Sequence, residues 1–169
     1  GPIGLMALQI VKRLGARRVF LSAFKRETAR IEVARQFGVD DIFDPSERPL
    51  SEVDFGCAID RCLVTTPPPT LNDCFQLAAK GGIISFIGIA YGDSAYCRFD
   101  ANAFHFKKLQ LRASFASPAL YTPRALQYLR EGVVNGPALI SHRFPLAEIA
   151  AAMRVAADPS QAVKVIVQP

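Results

Sequence analysis

Apolar and polar positions follow two periods along this chain, and the two periods take turns. Residues 3–14 set Leu5, Met6, Ile10, Val11 and Leu14 at helical spacing, and Gly15 ends the run. Residues 18–23 carry the apolar run Val19-Phe20-Leu21 and read as a strand. A second helix is expected over 27–37 with Gly38 past its end, then a short strand over 41–43. A polar, proline-containing loop over 44–53 leads to a strand over 56–60. Thr65-Thr66-Pro67-Pro68-Pro69 reads as a turn, with Thr70 capping a helix that runs to Lys80 and breaks at Gly81-Gly82. Ile83-Ile84-Ser85-Phe86-Ile87 is a continuous apolar strand, of the kind buried on both faces of a parallel sheet. After Gly92 the rhythm changes. An edge strand is expected over 95–99, a helical turn over 101–106 and a strand over 109–115. A helix over 122–131, a short strand near 139–144, a helix over 146–157 and a strand over 163–167 complete the pattern.

Strands separated by single helices imply right-handed crossovers and an open, doubly wound parallel sheet between helical layers, an α/β fold in three layers. Ligands of such sheets bind beyond the carboxyl ends of the strands. The turns to inspect are therefore residues 1–4, 22–26, 61–64 and 88–92. The first of these, Gly1-Pro2-Ile3-Gly4, feeds straight into a helix. Glycines let backbone approach an oxyanion, and the helix end supplies unpaired N–H groups and partial positive charge. A full dinucleotide fingerprint reads G-x-G-x-x-G after a buried strand. Here only the final G-x-x-G is present, and the first strand of such a sheet is expected upstream of it.

Composition narrows the function classes. The 169 residues are half hydrophobic and about a fifth charged, with a net charge of +5. The basic residues are scattered and not interleaved with aromatics, which argues against nucleic acid and leaves small anions. No apolar stretch is long enough to cross a bilayer, so no membrane role is expected. Cys57, Cys62, Cys74 and Cys97 form no C-x-x-C pair, and neither His105 nor His142 stands at ligand spacing from a cysteine. Reduced, buried thiols in a cytoplasmic protein are expected, with no metal site in this chain and no catalytic role for either histidine.

The order of motifs resembles the medium-chain dehydrogenase/reductase superfamily, in particular the zinc-type alcohol, polyol and threonine dehydrogenases. The matching stretches are Gly1-Pro2-Ile3-Gly4-Leu5, residues 30–40, Lys80-Gly81-Gly82-Ile83, Phe86-Ile87-Gly88, residues 111–115, His142-Arg143-Phe144-Pro145-Leu146 and residues 162–167. The resemblance runs through the whole chain. It implies a Rossmann-type NAD(P)-binding domain over 1–116 that lacks its first strand. It also implies a segment over 117–169 that returns to a catalytic lobe lying outside this sequence, together with the zinc. The parent enzyme would move hydride between an alcohol or carbonyl substrate and NAD(P), as a homodimer or homotetramer joined near residues 95–99, and this portion alone would be inactive. A zinc-free quinone-reductase-like enzyme and a non-catalytic nucleotide-binding remnant are the alternatives.

The same resemblance assigns residues to the cofactor. Gly1, Pro2, Ile3 and Gly4 would cradle the pyrophosphate, and Pro2 suits a first helical turn where its missing N–H is unpaired anyway. NAD enzymes usually place an acid after the second strand for the ribose hydroxyls. This chain has Ser22-Ala23-Phe24-Lys25-Arg26-Glu27. Ser22, Lys25 and Arg26 would suit a 2′-phosphate, so NADP is favoured over NAD, with Glu27 as a displaced ribose acceptor in the other case. Arg30 resembles the family's arginine near the adenosine end. Cys62 lies in the turn near the riboses, Ile87, Gly88 and Ile89 by the nicotinamide ribose, and Ser114 and Phe115 by the carboxamide. Lys164 resembles a late basic residue that reaches back to the pyrophosphate.

Overall fold

The computed structural model describes residues 1–116 and 118–169. The chain separates into two units, residues 1–45 with 118–169, and residues 46–117.

In the first unit, helix α1 (Pro2–Arg13) and helix α2 (Thr28–Gln36) flank the parallel pair β1 (Phe20–Ser22) and β2 (Asp41–Phe43). Both helices stop for the same reason. Gly15 and Gly38 sit at φ +92° and +72°, and at each the glycine N–H and the one after it fold back on the last turn. Ala16 donates to the Val11 carbonyl and Val39 to that of Ala34, which satisfies carbonyls the helix ends would leave open. Leu5, Leu8 and Ala34 form one core cluster with Val134, Leu139 and Val163. The late segment supplies α5 (Pro118–Arg130), the short α6 (Gly136–Leu139), β6 (Ile140–Pro145), α7 (Ile149–Ala157) and β7 (Lys164–Gln168). Strands β6 and β7 pair in parallel, with α7 as the crossover.

The second unit is a three-stranded parallel sheet in the order β3 (Ile59–Val64), β4 (Ala78–Phe86), β5 (Gln110–Ala113), with α3 (Leu71–Leu77) and α4 (Ala101–Phe106) in the connections. Its core is Val64, Leu71, Cys74, Phe75, Ala78, Ile84 and Leu109. Parallel strands joined by helical crossovers make the fold α/β and Rossmann-like, as the alternating periods imply.

Several boundaries depart from the sequence reading. The strand expected over 56–60 begins at Ile59 and runs to Val64. Residues 54–56 form a turn instead, with the Asp54 carboxylate accepting the Gly56 N–H at 2.8 Å and Gly56 at φ +61°. Helix α3 ends at Leu77, not Lys80, because Ala78 is already extended and starts β4. Thr70 stands at the N-cap position of α3, but its side chain makes no cap bond to the helix. It belongs to a 3-10 turn, Pro68–Thr70, and its hydroxyl accepts from Thr66 Oγ1 at 3.0 Å. No strand forms over 95–99. A 3-10 turn spans Gly92–Ala95, and Phe99 packs on Phe75 and Phe104 at ring separations of 4.7 and 5.2 Å. The helix expected from residue 122 starts at Pro118, which places Pro123 inside it.

Candidate functional site

Helix α1 begins after Gly1, and among the described residues no side chain caps it. Gly1 is its N-cap residue, and the first turn holds no acid. The first intrahelical bond runs from the Leu5 N–H to the Gly1 carbonyl at 3.1 Å. Ahead of it the N–H groups of Ile3 and Gly4 have no carbonyl within the helix, and Pro2 has none to satisfy. Such an end carries partial positive charge.

A cation stands beside it. Arg30, one turn into α2, places Nη1 3.9 Å from where a side chain on Gly1 would begin. Glu27 offsets part of that charge, with Oε1 3.4 Å from Nη1. The Arg30 side chain is 22 % exposed, and its Nε is buried without a hydrogen-bond partner among the described residues. A buried N–H left unpaired costs about 1–3 kcal/mol unless something accepts from it. A positive helix end, a guanidinium and an orphaned donor at one place are the complement of an oxyanion. A Cβ at position 1 would sit in ordinary van der Waals contact with the guanidinium, so glycine there keeps the place bare without being forced by a clash.

The loop between β1 and α2 carries the charged residues Lys25, Arg26 and Glu27. Ser22 is exposed at the end of β1 and pairs with Phe43. The Arg26 guanidinium lies over the Phe24 ring, 4.7 Å from its centroid. The Lys25 N–H donates to Asp44 Oδ2 at 2.6 Å. Asp44 was not among the residues singled out from the sequence; its only signal there was an acid directly after a strand and before a proline. Glu27, the alternative ribose acceptor, is 17 % exposed and engaged by Arg30. Lys164 is exposed at the first position of β7, and its carbonyl accepts from Ser141 Oγ at 3.1 Å. Among the described residues no hydrogen bond or ion pair joins its ammonium to residues 1–4 or Arg30.

In the second unit the expected residues collect at the carboxyl edge of the sheet, with one exception. The Ile87 N–H donates to the Val64 carbonyl and the Ser114 N–H to that of Phe86, each continuing a ladder past its last strand residue. Gly88 presses on the neighbouring strand end: a Cβ there would lie 1.8 Å from the Thr66 carbonyl oxygen. Ile89 and Phe115 stand 66 % and 86 % exposed at this edge. Cys62 is the exception. It lies inside β3, two residues before the strand ends, and packs against the core cluster. The strand end thus falls at Val64, and Cys62 shows its thiol to Cys74. A hydrogen bond from Cys74 pulls the Cys62 thiol below its usual range against the opposing effect of burial, while the same bond and burial push Cys74 far up.

His142 stacks on Phe144 and shares a 3.0 Å contact with Ser141 Oγ, where β6 shifts register. Among the described residues no three His, Cys, Asp or Glu side chains are grouped to hold a metal ion, and no helix is long and apolar enough to cross a membrane.

The chain is similar in sequence and fold to known proteins. The chain is 25 % identical over 174 aligned positions to the L-idonate 5-dehydrogenase (NAD(P)(+)) of Escherichia coli strain K12, covering 98 % of this chain and 47 % of that one. To the L-threonine 3-dehydrogenase of Legionella pneumophila strain Corby it is 28 % identical over 98 % of its own length and 48 % of the relative's. It thus spans about half the length of the curated relatives it matches. Among solved structures, the alcohol dehydrogenase of Thermus sp. ATN1 superposes with a TM-score of 0.85 at 25 % identity, over 99 % of this chain and 49 % of that one. The profile of one family, described as zinc-binding dehydrogenase, matches residues 2–131. With that match over most of its length, the chain belongs to the zinc-binding dehydrogenase family.

Proposed function

We propose that this chain holds the nicotinamide dinucleotide of a zinc-type dehydrogenase acting on an alcohol, and that it favours NADP over NAD. The observation that carries this reading is the N-terminal end of α1 beside Arg30, whose buried Nε has no partner among the described residues. In this reading the N–H groups of Ile3 and Gly4 and the Arg30 guanidinium bind the pyrophosphate. The dinucleotide, when bound, accepts or supplies the hydride. Lys25 and Arg26, with Ser22, receive a 2′-phosphate. Glu27 is committed to Arg30, which weakens its claim as a ribose acceptor and supports NADP. In the second unit, taken by itself, Ile87, Gly88, Ile89, Ser114 and Phe115 form an edge with the apolar surface and close backbone that a nicotinamide would use.

Catalytic zinc belongs to the parent protein in this reading, held by residues outside the described ones. The L-idonate and L-threonine dehydrogenases among the relatives support a substrate of the polyol or threonine kind. Residues 1–116 are proposed as the cofactor-binding part, and 117–169 as the segment that continues toward the catalytic lobe.

Fluorescence titration of the full-length protein with NADPH and NADH tests the reading. NADPH is expected to bind more tightly than NADH. Arg30→Ala removes a charged hydrogen-bonding partner worth about 1.5–3 kcal/mol and is expected to weaken both nucleotides by about 10- to 100-fold. A wild-type protein that binds neither nucleotide contradicts it.

A further inference from the structure

Main-chain and side-chain hydrogen bonds shape the loop over residues 23–27. The Ala23 N–H donates to the Phe43 carbonyl at 3.0 Å, the Glu27 N–H to the Phe24 carbonyl at 2.9 Å, and the Lys25 N–H to Asp44 Oδ2 at 2.6 Å. The first two are main-chain bonds that many sequences would form. The third needs one particular side chain, and it falls between the two on the segment that bears Lys25 and Arg26. Asp44 is well placed to hold it. It directly follows Phe43, whose strand is in register with β1 through Ser22, and it precedes Pro45, which biases its backbone toward extended geometry. It is half-buried, and a carboxylate accepting an N–H at this distance makes a charge-assisted bond.

We propose that Asp44 is a positioning residue for cofactor choice: by fixing the Lys25 main chain it sets where the Lys25 and Arg26 cations meet a 2′-phosphate. The inference rests on the dinucleotide reading above. A loop held in place before binding loses less freedom on binding, and the gain goes to the ligand that uses its cations. NADPH uses them and NADH does not.

The sign of the effect separates this role from simple charge. Asp44 is an anion close to the proposed phosphate position, so on charge alone its removal favours NADPH. Positioning predicts the reverse. Asp44→Ala is expected to weaken NADPH by about tenfold while NADH affinity stays within about twofold, so the NADPH/NADH ratio falls by about tenfold. Asp44→Asn keeps an oxygen acceptor and loses the charge, and it is expected to hold NADPH within about threefold of wild type. Retained NADH binding shows that each variant is folded. Hydrogen exchange at the Lys25 amide supplies the second readout: slow in wild type and Asp44→Asn, fast in Asp44→Ala.

An Asp44→Ala protein that binds NADPH as well as, or more tightly than, wild type overturns the proposal and leaves the dinucleotide reading standing. A wild type that prefers NADH overturns it as well, together with the NADP preference, and leaves only dinucleotide binding standing, because the loop then reads no 2′-phosphate. A wild type that binds neither nucleotide overturns the underlying reading together with this one, and that result is visible before any variant is made.

Discussion

At the scale of residues, the candidate site is made of groups that local packing has left in unusual states. Among the described residues Arg30 keeps a buried donor without an acceptor, beside a helix end that no side chain caps. Gly88 is closed against the Thr66 carbonyl with no room for one more carbon. The Ile87 N–H to Val64 carbonyl bond ties the two segments together just before that contact, so the backbone cannot yield cheaply. Gly88→Ala is expected to cost about 1–3 kcal/mol in thermal or urea unfolding. The exposed Ile89→Ala should stay within about 0.5 kcal/mol; equal stability of the two variants would contradict the close approach. The glycines of the α1 turn were legible in sequence because their motif is local. Asp44 was not, since its bond to Lys25 spans 19 positions and exists only once β1 and β2 have paired. Cys62 was misplaced for a related reason: the strand end was set four residues too early, which moved a core thiol into a turn.

At the scale of elements, propensity and periodicity located the helices and strands better than their ends. Strand β2 and helix α4 carry the bounds read from the sequence, because each sits between clear local signals. For α4 these are the Asp100 carboxylate, which caps the Asn102 and Ala103 N–H groups at 2.8 and 3.0 Å, and a reversed turn at Lys108. The end of α3 is set from far along the chain. Lys107 brings its ammonium to the carbonyls of Phe75, Gln76 and Ala78 at 3.4, 2.6 and 3.1 Å, while its own carbonyl accepts the Gly81 N–H at 2.7 Å. A cation at a helix C-terminus stabilises it, and here it also closes carbonyls that no further turn of helix would reach. Lys107→Met keeps the alkyl stem and removes the charge. It is expected to lower stability by about 1–3 kcal/mol in urea unfolding. A change below about 0.3 kcal/mol would mean that α3 ends for another reason. No reading of the Gly81-Gly82 break alone anticipates this, since the signal lies in a lysine some thirty residues away.

At the scale of the whole molecule, alternation of strand and helix was enough to give the parallel α/β class, and the motif order was enough to give the family. The grouping of the chain was less legible. Residues 118–169 pack with residues 1–45, because Val134, Leu139 and Val163 complete the core begun by Leu5, Leu8 and Ala34. Such long-range burial leaves no mark in a sequence window. Each unit is all-parallel in its strands, and each presents strand or helix ends where a ligand of this fold class would bind. The measurement that tests the central claim most directly is a crystal structure of the full-length protein with NADP. The account predicts pyrophosphate oxygens within hydrogen-bonding distance of the Ile3 and Gly4 N–H groups, with the Arg30 Nε donating to the same ligand. A dinucleotide bound elsewhere, leaving the α1 end and Arg30 Nε unengaged, would contradict it.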